Sequence, residues 1–196
     1  MVQDSTTYYV WIGGSCDYGH KEPTNEARAE SQARLGYALQ GGGRRSQRAG
    51  GAAVVIELRE QREQSQRDLN SAESRQKKTK SQHDGSIVSR DVISDLHTTE
   101  FRMMLTLMVK VMSELPDGSD ILFLTNAAYI QNFDKTPTAK SANPDLISQC
   151  IEAKTRHNSV SVKIVPYHKS PLLIETHDMA TEAMARTRKE YHHDIQ

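Results

Sequence analysis

Ser119-Asp-Ile-Leu-Phe-Leu-Thr-Asn-Ala-Ala-Tyr-Ile130 decides how this chain folds, read with the segment before it, Thr98-Thr-Glu-Phe-Arg-Met-Met-Leu105. Ile121 to Leu124 is a short apolar run between turn signals, the pattern of a strand buried on both faces. Thr125-Asn126 falls where that strand stops and the chain turns into a short helix from Ala127 to about Phe133. In an open α/β sheet, ligands bind at the carboxyl end of such a strand. Upstream, Phe101, Leu105, Met108 and Met112 recur at a spacing of three or four, and Met104, Leu107 and Val111 line the adjacent face. Only a narrow polar stripe is left (Arg102, Thr106, Lys110, Glu114), so this helix is buried over most of its circumference. Thr98 or Thr99 caps its start, and Pro116-Asp117-Gly118 stops it.

On the N-terminal side, Thr7 to Ile12 is rich in β-branched and aromatic residues and predicts a strand ended by Gly13-Gly14-Ser15. Gly50 to Leu58 and Ser86 to Ile93 predict two more, giving a three-stranded meander. On the C-terminal side, Asn143-Pro144-Asp145 is a helix start with proline at the first helical position. Leu146, Ile147, Cys150 and Ile151 give its inward face. Val160 to Val165 alternates and predicts a fifth strand. Pro166 to Leu173 reads as a loop holding His168, and a last helix follows from about Ile174 to Tyr191. The order predicts a mixed α/β fold: a five-stranded sheet, antiparallel meander plus parallel strands, with helices on both faces.

The 196 residues suit one domain, 1–196, with insertions at about 17–48 and 59–84. Mean hydropathy is −0.66, which fits a chain part of whose length carries no core. Arg59 to Asp84 has no aromatic, Ile, Val or Met, too little apolar area to offset the entropy of ordering, and reads as a disordered hairpin extension. Gly41 to Arg48 carries Arg44, Arg45 and Arg48 without an acid; it can contact phosphate, though a solvated loop is the commoner reading of such a stretch. The formal net charge is zero, so bulk electrostatics signal neither nucleic acid nor membrane. Cys16 and Cys150 make no disulfide framework, which points to an intracellular, reduced setting. No apolar run approaches the roughly 20 residues that span a bilayer, and no secretory signal is read at the start.

With order and motifs in place, the chain resembles the type 1 ribonuclease H family. Val10-Trp-Ile-Gly-Gly-Ser-Cys16 is similar to its first-strand motif, usually Thr-Asp-Gly-Ser/Ala-Cys. Gly50-Gly-Ala-Ala-Val-Val-Ile56 is similar to its second strand, and Thr98-Thr-Glu-Phe-Arg-Met-Met-Leu105 to its Thr-x-Asn-Arg-Met/Ala-Glu-Leu helix start. Leu124-Thr-Asn-Ala-Ala-Tyr-Ile130 is similar to its Thr-Asp-Ser-x-Tyr-Val/Ile. Tyr167-His168 and Glu175-Thr-His-Asp178 are similar to its Gly-His loop and Asn-Glu-x-x-Asp helix start. Each fragment alone is weak; their common order carries the resemblance.

The resemblance implies hydrolysis of the RNA strand of RNA–DNA hybrids by two magnesium ions held by four acids. Such ions sit roughly 3.5–4 Å apart and demand hard oxygen ligands. Here the first-strand acid falls on Gly13, the helix acid on Met104 and the central-strand acid on Asn126; only Asp178 matches. A thioether is a poor magnesium ligand and a neutral amide a weak one. Asp17 and Glu100 are the nearby acids that could stand in, Glu100 one helical turn before Met104. The expectation is therefore a ribonuclease H-like protein without catalysis or cofactor. It would act as a nucleic-acid-binding or structural module, in a ribonucleoprotein or viral assembly. Gly14, Ser15, Cys16, Arg102, the Lys135 to Lys140 stretch, Arg44, Arg45 and Arg48 would contact an RNA–DNA hybrid or double-stranded RNA. The alternatives are an active hybrid ribonuclease using Mg²⁺ or Mn²⁺ through relocated ligands, and a protein-binding scaffold without nucleic acid.

Plain structural readings stand beside these. Glu175 and Asp178 suit the acidic first turn of a helix, and His168 a surface loop. His97, His177, His192 and His193 lack zinc-ligand spacing. Ser15 with His168 lacks a third partner for nucleophilic catalysis. Met103, Met104 and Met108 suit a core.

Overall fold

The computed structural model describes residues 6–17, 49–60 and 85–193. The strands are β1 (Thr6–Asp17), β2 (Ala49–Glu60), β3 (Ser86–Leu96), β4 (Asp120–Thr125) and β5 (Ser159–Ile164). The helices are α1 (Glu100–Glu114), α2 (Pro144–Lys154) and α3 (Pro171–His193), with short 3₁₀ turns at Ala128–Asn132 and Tyr167–Lys169. Sheet order is β3-β2-β1-β4-β5. β1–β2 and β2–β3 are antiparallel; β1–β4 and β4–β5 are parallel. The predicted mixed sheet is thus the observed one. Arg44, Arg45, Arg48 and most of both predicted insertions lie outside the described residues. Asp17, Arg59 and Glu60 were assigned to those insertions but belong to β1 and β2.

The two faces carry separate cores. Val10, Ile12, Val54, Ile121, Phe123 and Val160 pack with α1 and α2. Trp11, Val55 and Leu124 pack with Leu172 and Leu173 of α3. Strand alternation sends successive β1 residues to opposite faces, so helices cover both. α1 forms as predicted: Thr99 caps it by accepting from the Arg102 N–H at 3.2 Å. Its buried side is Met103, Met104, Leu105, Leu107, Met108, Val111 and Met112. Among the described residues, no helix is long and apolar enough to cross a membrane.

Three predicted boundaries are corrected. β1 does not stop at Gly13; it runs through Gly13 and Gly14, which pair with Ala53 and Ala52. Main-chain pairing to β2 continues there because it needs no side chain. The segment after β4 is 3₁₀, not α. α3 starts at Pro171, within the stretch predicted to be a loop. Proline fits the first turn because its missing N–H would lack an intrahelical partner anyway. That earlier start removes Glu175 and Asp178 from the first turn, which holds no acid, so they do not complement its dipole. Asn143, ahead of α2, has a left-handed backbone (φ 55°) and gives no side-chain cap; its side chain accepts instead from Arg102 at 3.3 Å.

Leu173 anchors the start of α3 and is fully buried. Leu173→Ala should cost about 2–5 kcal/mol of unfolding free energy, the range for deleting a buried leucine side chain, read by urea denaturation.

Candidate functional site

The carboxyl end of β4 lies beside the Gly13-Gly14 pair of β1, and the two glycines face different helices. A Cβ on Gly13 would collide with the Thr176 hydroxyl and lie 3.0 Å from Cδ2 of the His177 ring. A Cβ on Gly14 would lie 2.6 Å from Cγ of Glu100 and 3.0 Å from Cγ of Met104. Glycine at both positions is what lets α3 and α1 come this close to β1 from opposite sides. Thr176 is fully buried, its hydroxyl donating to the Leu173 carbonyl at 2.7 Å.

His177 is the centre of the site. Its Nε2 lies 3.1 Å from Oδ1 of Asn126, and the ring also hydrogen-bonds the Gly14 backbone. Tyr167 meets it edge-on, ring centroids 5.0 Å apart at 90°. Burial is the largest influence on its titration and holds its pKa below the ordinary 6.5. The Glu100 carboxylate, the Gly14 bond and the Asp178 carboxylate oppose that shift without reversing it. His177 is therefore mostly neutral near pH 7 and bridges β1, β4 and α3.

The positions that the resemblance assigns to metal carboxylates are all located. Gly13 carries no donor, and the space a β1 carboxylate would need is taken by Thr176 and His177. Met104 is fully buried, and its sulfur accepts from the Tyr129 hydroxyl at 3.5 Å. Asn126 is engaged by His177. Asp178 is exposed, and Glu100 folds across Gly14 near the ring. This donor set does not fit a pair of magnesium ions, which require several converging oxygens. Among the described residues, no group of three or more His, Cys, Asp or Glu side chains is placed to hold a metal ion. Asp17 is no substitute: it forms an ion pair with Arg188, on the second half of α3.

The remaining predicted contacts scatter. Ser15 accepts from the Thr181 hydroxyl at 3.2 Å, and the Cys16 thiol faces the Thr98 carbonyl at 3.9 Å. Arg102 makes a two-pronged bond to Asp145 at 2.8 and 3.2 Å, which ties α1 to α2. Glu175 is paired with Arg90 of β3 at 2.6 Å. His168 is exposed and packs edge-on against the other neighbour of His177, Tyr167, at 5.3 Å between centroids. His177, Tyr129 and Tyr167 were missed in the sequence. In the sequence, His177 is weighed only to set aside a zinc site; a ring next to Asp178, opposite the side-chain-free Gly13, is the available signal.

No protein-family model matches the chain, and no curated protein does. Solved structures do. A crystal structure of LC9-RNase H1, a type 1 RNase H with the type 2 active-site motif, matches with a TM-score of 0.59 at 17% identity, over 95% of this chain and 76% of that one. The N-terminal RNase H domain of Rv2228c from Mycobacterium tuberculosis matches at 0.55 and 8% identity, over 95% and 99%. A foamy viral protease–reverse transcriptase solved in complex with dsDNA matches at 0.51 and 9%, over 93% and 95%. With the strand order above, these establish that the chain has the ribonuclease H-like fold.

Restoring an acid at the first-strand position should disturb α3. Gly13→Asp is expected to cost about 1–3 kcal/mol from overpacking alone. Adding Thr176→Ala should recover part of that loss, so that the double variant is more stable than the sum of the singles predicts, read by denaturant titration.

His177 also sets a pH dependence. Its folded pKa is depressed, so the unfolded chain takes up the proton first as pH falls through the ordinary value. Its contribution is present above about pH 6.5 and is lost as pH falls below that. The thermal midpoint should drop on acidification from about pH 7.5 to 5, and His177→Gln should flatten that slope.

Proposed function

We propose that this chain is a ribonuclease H-like module that binds nucleic acid, or supports a larger nucleoprotein assembly, without cleaving it and without Mg²⁺ or Mn²⁺. One observation carries the non-catalytic part: Thr176 and His177 occupy the space beside Gly13 that a metal-binding carboxylate would need. The solved structures of this fold support the nucleic-acid part, since two are ribonucleases H and one is a reverse transcriptase holding dsDNA. Arg102 is paired with Asp145, whereas Lys135 and Lys140 are exposed on the loop before α2, where cations could meet phosphate.

Incubation with an RNA–DNA hybrid in Mg²⁺ or Mn²⁺ should leave the RNA strand intact, while affinity for the hybrid falls with added salt. Cleavage abolished by Asp178→Ala would instead establish an active ribonuclease with relocated ligands. Absence of binding to hybrid, duplex or single strand at low salt would leave the protein scaffold.

A further inference from the structure

Among the described residues, the exposed large hydrophobic side chains are Ile87, Val88, Tyr129 and Ile164. Ile87 and Val88 are neighbours on β3, an edge strand of the sheet. β3 has 11 residues, and Ser86 to Arg90, at its start, are all exposed. A long edge strand with apolar side chains is a template for pairing with another chain. On such a strand every second N–H points away from the sheet.

The second half of this edge is capped. The Val92 N–H donates to the Asp91 carboxylate at 2.8 Å, and the Leu96 N–H to the Asp95 carboxylate at 2.7 Å. Val92 and Leu96 are an even number of residues apart, so the two groups point to the same side of the strand. The Asp91 carboxylate is also held by Lys110 of α1. The first half carries a register shift against β2 between Ile56 and Glu57, at which Val88 has no partner in the pairing.

The strand is also close to a mirror of itself about Arg90. Ser86-Ile-Val-Ser89 approaches it from one side; Ser94-Ile-Val-Asp91, read backwards, approaches it from the other. Laid antiparallel on a second copy about Arg90, Ser89 comes opposite Asp91, where a hydroxyl can donate to a carboxylate. Ile87 and Val88, two residues against one at the bulge, come opposite Val92. The facing Arg90 side chains are each paired with their own Glu175 at 2.6 Å. Such self-complementarity is what a two-fold contact between identical chains requires.

We propose that β3 is a strand-addition surface for a second copy of this chain, and that Asp91 and Asp95 hold it shut. The Val92 N–H that a ladder between copies needs is already given to Asp91. Pairing has to break that bond first, and it sets the carboxylates of two edges side by side. Charge on an edge opposes strand addition for the same reason.

Sedimentation velocity of the full chain across a concentration series tests this. The unaltered chain should sediment as a single copy. Asp91→Ala combined with Asp95→Ala should associate as concentration rises, its mass moving toward that of a dimer. Lys110→Ala removes the exposed ion pair of Asp91, which contributes little to stability, but leaves the bond to Val92; this variant should stay single. Adding Val88→Lys to the double variant should return it to single copies, whereas a misfolded variant would aggregate with or without that lysine. The proposal is overturned if the double variant stays single at every concentration, or associates no more than the unaltered chain. It is overturned equally if Lys110→Ala associates as the double variant does, or if Val88→Lys leaves the association unchanged.

Discussion

The approach of α3 to the backbone of β1 at Gly13 is the contact on which the rest of the site depends. A helix normally rests on a sheet through side chains of both partners; here the strand contributes none, and Thr176 and His177 fill its place. Gly14 repeats the arrangement on the other face with Glu100 and Met104 of α1. Two consecutive residues with no side chain let helices close on the centre of the sheet from both sides. Leu173 and Leu172, buried against Trp11 and Val55, hold α3 to that position.

The chemistry follows from the packing. Metal-assisted hydrolysis needs several hard oxygens converging at the end of β4. This chain offers instead a mostly neutral imidazole bonded to an amide, a buried thioether under a tyrosine, and two carboxylates beside the ring. His177 joins β1, β4 and α3, so the place where ligands usually enter such sheets also supports the fold.

Much of the fold was legible because it is written in local periodicity. The Ile121–Leu124 run, the spacing of Phe101 to Met112, and Pro144 each specify an element through neighbouring residues. Gly13, Met104 and Asn126 stand out in the same way, as departures from the short motifs that the chain resembles. The filled site was not legible, because it joins β1 to residues more than 160 positions away. The early start of α3 was missed although Pro171 carries the same signal that was read at Pro144; Ser170 and the preceding Pro166-Tyr167-His168 suggested a loop. Arg102 looked available for phosphate, and only the fold shows Asp145 beside it.

Titration of the folded chain with Mg²⁺, followed by amide ¹H–¹⁵N NMR, most directly tests whether α3 has taken the place of the metals. The filled site predicts no saturable shift at Gly13, Gly14, Asn126, His177 or Asp178, beyond the weak, linear drift of surface carboxylates. Saturable shifts converging on those residues would show an ion bound between β1, β4 and α3, and would contradict it.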